Sequence, residues 1–304
     1  MCVCVLKLRK ELYTVMDRSD LANRMKNYEA VSKTVLMKRM PVAMRLDGKA
    51  FHTFTKGFQK PFDRILMTSM QETMKYLCEN IQNCVFGFAQ SDEITLILID
   101  YQTFETSAWF DYEVQKMCSI SASMATMAFN KFFAKNVENL RSEVVQEYEI
   151  DGKTEWVKSM LPYLKIYEAA IEKGAMFDAR CFNIPKEEVA NLIYWRQLDA
   201  TRNSIQMVGQ ANFSHKELQN KSCNDIKDML WKEKGIDWNS FPTDCRRGAA
   251  CIKTPPKEKV VEVLTVAGKP LRAVINCSSW FVDKHMPILK EDWNYINKYI
   301  YVEE

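Results

Sequence analysis

The sequence holds only three histidines, and none of its ten cysteines forms a C-x-x-C pair. That removes the usual zinc spacings. A net charge of +3 is too small to announce a nucleic-acid binder through bulk charge, although a local basic face is compatible with it. Wholly aliphatic stretches run to only a few residues, so neither a membrane span nor a secretory signal is expected. Repeats and low-complexity linkers are also missing, and no clean domain boundary shows. What remains is an average globular composition, 47% apolar and 27% charged, in 304 residues. Such a chain supports one large or two ordinary domains with a proper core. Reduced thiols in a cytoplasmic protein are the economical reading of the cysteines.

The opening "MCVCVLKLRKELYTV" carries no motif, and Met16 begins a more ordinary polar amphipathic segment; residues 1–15 read as an upstream extension. A strand is expected over 41–48, "PVAMRLDG", punctuated by Pro41 and Gly48. "FDRILMTSMQETMKYLCEN" places Leu66, Met70, Met74 and Leu77 on one helical stripe. "CVFGFAQSDEITLILID" reads as two strands joined tightly at Gln90–Glu93. A long helix is expected from about Trp109 towards Leu140, then a strand over 173–185 closed by Pro185. The order β-α-β-β-α-β is the split βαβ arrangement, an α+β fold whose antiparallel sheet carries helices on one face. Residues 16–200 form this palm-like core, and 201–304 a more helical part packed on it. There "SHKE", Ser214 to Glu217, is a capping box, Gly235 a helix stop, and 259–277 a hairpin through Ala267–Gly268–Lys269.

The chemistry-bearing residues gather around adjacent acids. Asp92 and Glu93 stand side by side at the mouth of a strand, where like charges repel. In a β-α-β-β unit the end of the first strand lies beside the next hairpin, so Asp47 and Asp92 converge. Alone, Asp47 before Gly48 reads as a turn residue, and "SDE" as a solvated hairpin tip. Together they form a hard-oxygen set that suits magnesium. That is the two-metal arrangement of palm-type nucleotidyl transfer. Gly48 lets the backbone approach a metal or phosphate closely. Lys49, Lys56 and Lys60 add positive charge nearby or form a solvated face. Arg196, Asp199 and Asn203 share a helical face and read as a structural network.

The segments "RLDGKAFHTFTKGFQKPFD", "FAQSDEITLIL", "KMCSISASMATMAF", "MFDARCFNIP" and "YWRQLDATRNS" together resemble the tRNA-histidine guanylyltransferase family. The likeness covers residues 27–302 and points to its bacterial and archaeal guanylyltransferase-like branch, the 3′-to-5′ polymerases. It implies a cytoplasmic magnesium enzyme, expected as a homotetramer, acting on the 5′ end of tRNA with ATP and GTP or other nucleoside triphosphates. It implies catalysis at Asp47, Asp92 and Glu93, with two metal ions on Asp47, the Gly48 carbonyl and Asp92. Nucleotide contacts fall to Asp47, Gly48, Lys49, Ala50, Phe51, His52, Ser91 and Asp92, with Lys60, Lys116 and Arg180 near substrate phosphates. In the family, ATP activates a tRNA 5′-monophosphate, and the 3′-hydroxyl of an incoming nucleotide then attacks the activated end.

Two departures bear on the substrate. Eukaryotic members carry H-I-N-N-L-Y-N after W-R-Q, where this chain has Thr201, Arg202, Asn203, Ser204 and Ile205. They also carry a basic pair after W-F, where Tyr112 and Glu113 stand here. Template-dependent repair of truncated tRNA 5′ ends is therefore expected ahead of fixed guanosine addition to histidine tRNA. A palm-type nucleotide cyclase is a more remote alternative: it lacks the G-G turn and leaves the C-terminal half unexplained. A non-catalytic RNA-binding module would need a missing carboxylate, and none is missing.

Overall fold

The computed structural model describes residues 19–254, 257–264 and 270–302. The extension expected at 1–15 and the turn expected at Ala267–Lys269 lie outside the described residues. The chain divides into two compact units between Val35 and Leu36. The first contains helix α1 (Asp20–Val31), opened by Ser19, whose Oγ accepts the Ala22 amide at 3.1 Å.

The second unit is built on β1 (Val42–Gly48), the short α2 (Phe51–Phe54), α3 (Arg64–Asn80), β2 (Cys84–Gln90), β3 (Glu93–Leu98), α4 (Val114–Asp151), α5 (Glu155–Lys173), β4 (Phe177–Asn183) and α6 (Lys186–Asn212). Then follow α7 (His215–Leu218), α8 (Cys223–Lys234), α9 (Thr243–Arg247), β5 (Ala249–Lys253), β6 (Lys257–Leu264), β7 (Pro270–Cys277), β8 (Trp280–Asp283) and α10 (Asn294–Ile300). Six strands pair antiparallel throughout in the order β4-β1-β3-β2-β5-β8, and β6 pairs with β7 as a separate hairpin. The α+β, split βαβ architecture read from the sequence is the observed one.

Three details differ from the sequence reading. Phe110, Asp111 and Tyr112 all have positive φ, so a 3-10 turn stands where a helix start was expected and α4 begins only at Val114. The helix then runs past Leu140, because its buried stripe continues through Val144, and it stops at Gly152. Helix α5 has no counterpart in that reading, since Pro162 in its interior argues against a helix. Strands β5 and β8 add two members to the sheet beyond β2; at five and four residues they are too short to show a period.

The split βαβ unit keeps its helices on one face. There Val42, Met44 and Leu46 of β1 pack with Met70, Met74 and Leu77 of α3 and Phe129 and Phe133 of α4. Later chain covers the other face: Ala43, Phe86 and Ile97 meet Val189 and Ile193 of α6 and Ile296 and Ile300 of α10. A third, smaller core joins the end of α6 to α8 through Ile205, Val208, Ile226 and Leu230. Both helix-end signals hold: Ser214 and Glu217 form the capping box, and Gly235 adopts the left-handed conformation that ends α8. No helix among the described residues is long and apolar enough to cross a membrane.

Candidate active site

The site forms where β1, β3 and β4 end together. Strand register sets Asp47 directly opposite Glu93 on one side and Asp178 on the other. Cross-strand partners share a face, so three carboxylates stand in a row, an arrangement that is destabilising unless compensated. Two residues back along the same face stand Arg180, Arg45 and Thr95. The outer acids are neutralised by this basic row: Arg180 reaches Asp178 at 3.3 Å, and Arg45 reaches Glu93 at 2.7 Å. Glu93 gains a second cation from α6, where Arg196 approaches to 3.2 Å. The central Asp47 has no ion pair among the described residues.

Asp92 is the other acid left alone. It occupies a two-residue hairpin loop with Ser91 between the paired Gln90 and Glu93. Ser91 takes positive φ, and its hydroxyl donates to Asp92 Oδ1 at 3.0 Å. The loop is tied to β1 by the Gly48 amide, which donates to the Asp92 carbonyl at 3.0 Å. Burial pushes the Asp92 carboxyl above the usual carboxylate range, and the charges of Asp47 and Glu93 push it the same way. Asp47 and Asp92 are thus an adjacent, uncompensated carboxylate pair.

Gly48 is demanded by its neighbour. A Cβ there would lie 2.3 Å from the Phe51 ring, and Phe51 is anchored against Phe54, Phe129 and Phe177. Lys49 and Ala50 form the turn into α2: the Lys49 amide donates to the Met176 carbonyl, and Ala50 is left-handed with φ 54°. Beyond this turn a cavity of ≈ 370 Å³ is lined by Phe51, His52, Lys60, Ser91, Asp92 and Gln210, among others. That volume falls in the range of small-molecule sites.

The loop presenting Lys60 is fixed by a buried acid. Asp63 caps α3 by accepting the Leu66 amide at 2.8 Å. It also accepts the Gln59 amide at 2.9 Å and the Tyr167 hydroxyl at 2.6 Å. Three donors satisfy a carboxylate that is only 5% exposed. Lys116 and Arg180 do not line this cavity. Lys116 lies over the Phe110 ring in the first turn of α4, and Arg180 stays on edge strand β4 with Asp178.

Sequence reasoning missed Asp63, Gln210 and the partners of Glu93. An acid directly before the apolar stripe of α3 is a readable cap signal, and Arg45 is conspicuous as the one cation in "PVAMRLDG". The network expected on α6 is present: Arg196 pairs with Asp199 at 2.5 Å, Arg202 pairs with the same carboxylate, and Asn203 lies 3.5 Å from it. Its extension to Glu93 has no sequence signal.

A split βαβ palm with two uncompensated carboxylates, one of them lining a cavity with Lys60, has the form that metal-assisted nucleotidyl transfer calls for. Residues 22–185 match the tRNAHis guanylyltransferase family, and the chain belongs to that family. A bacterial tRNAHis guanylyltransferase-like protein solved in complex with ATP is 35% identical, with a TM-score of 0.70 and coverage of 93% of this chain and 100% of that one. A structure of such a bacterial protein in complex with GTP is 33% identical, with a TM-score of 0.67 and the same coverage. The tRNAHis guanylyltransferase of Saccharomyces cerevisiae is 25% identical over 247 residues, which is 77% of this chain and 90% of that protein.

Proposed function

We propose that this nucleotidyltransferase extends the 5′ end of tRNA in the 3′-to-5′ direction, repairing truncated acceptor ends against the opposite strand. The observation that carries the reading is the Asp47–Asp92 pair, left without a cation beside a cavity that also offers Lys60 and His52. The ATP- and GTP-bound bacterial relatives support a triphosphate in that cavity.

Magnesium fits the donor set. Asp47, Asp92 and the Gly48 carbonyl are all hard oxygens, and they would hold the ion. Among the described residues, no three His, Cys, Asp or Glu side chains converge into a ready-made cage. Magnesium keeps several waters and binds through one or two carboxylates plus substrate phosphates. When bound, it supplies charge for the triphosphate and lowers the pKa of the attacking hydroxyl.

The residues divide the remaining work. Lys60, held in place by the Asp63 cap, meets phosphate charge in the cavity. Ser91 and His52 line the same cavity and give it a polar rim. The bond formed joins the 3′-oxygen of the incoming nucleotide to the 5′-phosphorus of the RNA. The group activating that phosphate leaves with its electron pair, and the hydroxyl proton passes to solvent or to a cavity base. Phosphate contacts position a nucleotide without specifying its base, so the opposing strand supplies the choice. Thr201–Ile205, in place of the eukaryotic stretch, agrees with that division.

The test is a set of tRNAs lacking their first nucleotide, with each of the four bases opposite the gap. Addition of the Watson–Crick partner in each case, ceasing when the stem is full, is the expected outcome. Guanosine added regardless of the opposing base would replace repair with fixed guanosine addition.

A further inference from the structure

The row Asp178–Asp47–Glu93 raises a question that the carboxylate pair alone does not answer: why Glu93 stays out of the cation site although its register places it directly opposite Asp47. Its Oε1 is engaged from two elements at once, by Arg45 Nη2 at 2.7 Å and Nε at 2.8 Å, and by Arg196 Nε at 3.2 Å. Arg196 comes from α6, is only 4% exposed, and is steered from its other side by Asp199 at 2.5 Å. The Arg196 Nε makes no aligned hydrogen bond, so this approach is chiefly one of charge. Nothing else in the described residues ties α6 to the carboxylate row by an ion pair.

We propose that Arg196, together with Arg45, is a positioning residue that withdraws Glu93 from the cation site and leaves Asp47 and Asp92 as its two charged ligands. The inference rests on the reading of Asp47 and Asp92 as that site. Two carboxylates leave room for waters and substrate phosphates around the ion, and a third would occupy that room. Glu93 then serves through its ion pairs, as an internal counter-ion for two arginines. Removing Arg196 leaves Glu93 held by Arg45 alone and makes the net field at the neighbouring site more negative by one charge. The ion should bind more tightly and the reaction should slow, a combination that mere structural damage does not produce.

The experiment titrates magnesium, and manganese in parallel, against the full-length protein, following the rise of Tm and, separately, the rate of nucleotide addition. In Arg196→Met the half-saturating cation concentration should fall about tenfold, the size expected for one unit charge about 6 Å from a divalent ion at an effective dielectric near that of water. The addition rate should fall at least as much. Arg196→Lys should stay near the wild type on both counts. The double variant Arg196→Met/Glu93→Gln should return the half-saturating concentration to within about threefold of the wild type. Unchanged or weaker cation binding in Arg196→Met overturns the proposal, as does a double variant that binds many-fold more weakly, since that makes Glu93 a ligand. If Arg196→Met does not fold, Arg45→Met probes the same clamp from the strand, and absence of tightening there overturns it equally. A wild-type protein whose Tm ignores both cations removes instead the reading of Asp47 and Asp92.

Discussion

The two faces of β1 are built on opposite terms. One presents Val42, Met44 and Leu46, all fully buried, to α3 and α4. The other begins with Ala43, equally buried, and then turns to Arg45 and Asp47 as it nears the strand end. The first face belongs to a core in which Phe51, Phe54, Phe58, Phe129, Phe133 and Tyr167 meet in edge-on, tilted or stacked pairs. The second belongs to charges that neutralise one another except at Asp47. Alternation along a strand lets seven residues hold the sheet together on one side and present reactive groups on the other. Substitutions should therefore separate: removing a carboxylate from the charged face should change rate, and truncating a side chain on the apolar face should change stability.

The largest effect tests the charged face. Asp47→Ala or Asp92→Ala should lower nucleotide addition by roughly a thousandfold or more, the typical consequence of losing a metal-held transition state. Without magnesium, either variant should melt no lower than the wild type, because like charges have been relieved. The wild-type Tm should climb with magnesium, and that of Asp47→Ala much less. Near-normal turnover by Asp92→Ala, or an equal magnesium response in both proteins, would break the comparison at its functional end.

The apolar face predicts the reverse pattern. Phe133 is 1% exposed, with ring centroids of Phe54, Phe58 and Phe129 within 5.5–5.7 Å. Truncation to Ala should cost about 3–5 kcal/mol by transfer and cavity formation together. Denaturant unfolding would measure it. At temperatures where Phe133→Ala remains folded, the rate per folded molecule should stay within a few-fold of the wild type. A variant that stays stable but inactive would mean that this face reaches the chemistry after all.

How much of this was legible depended on the range of the signal. Periodicity and turn chemistry are local, and so the four strands of the split βαβ unit, the helix at 64–80 and the body of the long helix, though not its start at Val114, were readable from stretches of ten to twenty residues. The meeting of Asp47 with Asp92 was also readable, because topology fixes where β1 ends relative to the β2–β3 turn. Glu93 was read together with its neighbours as one acidic cluster. Its separation from them depends on Arg196, more than a hundred residues onward, and on a register that no local pattern encodes. The same holds for Gln210, which lines the cavity from the far end of α6. Strand β5 is five residues long and buried at all but its last position, so it shows no alternation to distinguish it from a buried turn of helix.

The smallest effect carries a sign that sharpens the contrast. Thr95 sits on the charged face, opposite Arg45 on β1 and Phe88 on β2, and is 1% exposed. Its hydroxyl is buried without a hydrogen-bond partner. An unsatisfied buried hydroxyl carries its desolvation cost uncompensated, whereas an apolar group of the same shape does not. Thr95→Val keeps the β-branched outline and the strand preference while deleting that group. It should raise stability by about 1 kcal/mol, which for a chain of this size is a Tm increase of roughly 2 °C. On the opposite face a polar-to-apolar exchange has nothing to relieve, since Val42, Met44 and Leu46 are already apolar. A clear gain in Thr95→Val, with addition rate unchanged, would mark the charged face as the side on which stability is held below what packing allows. A loss of about 1 kcal/mol or more would mean that the hydroxyl bonds within the Arg45–Glu93 cluster, and the polar side of the sheet would then be as fully satisfied as the apolar side is packed.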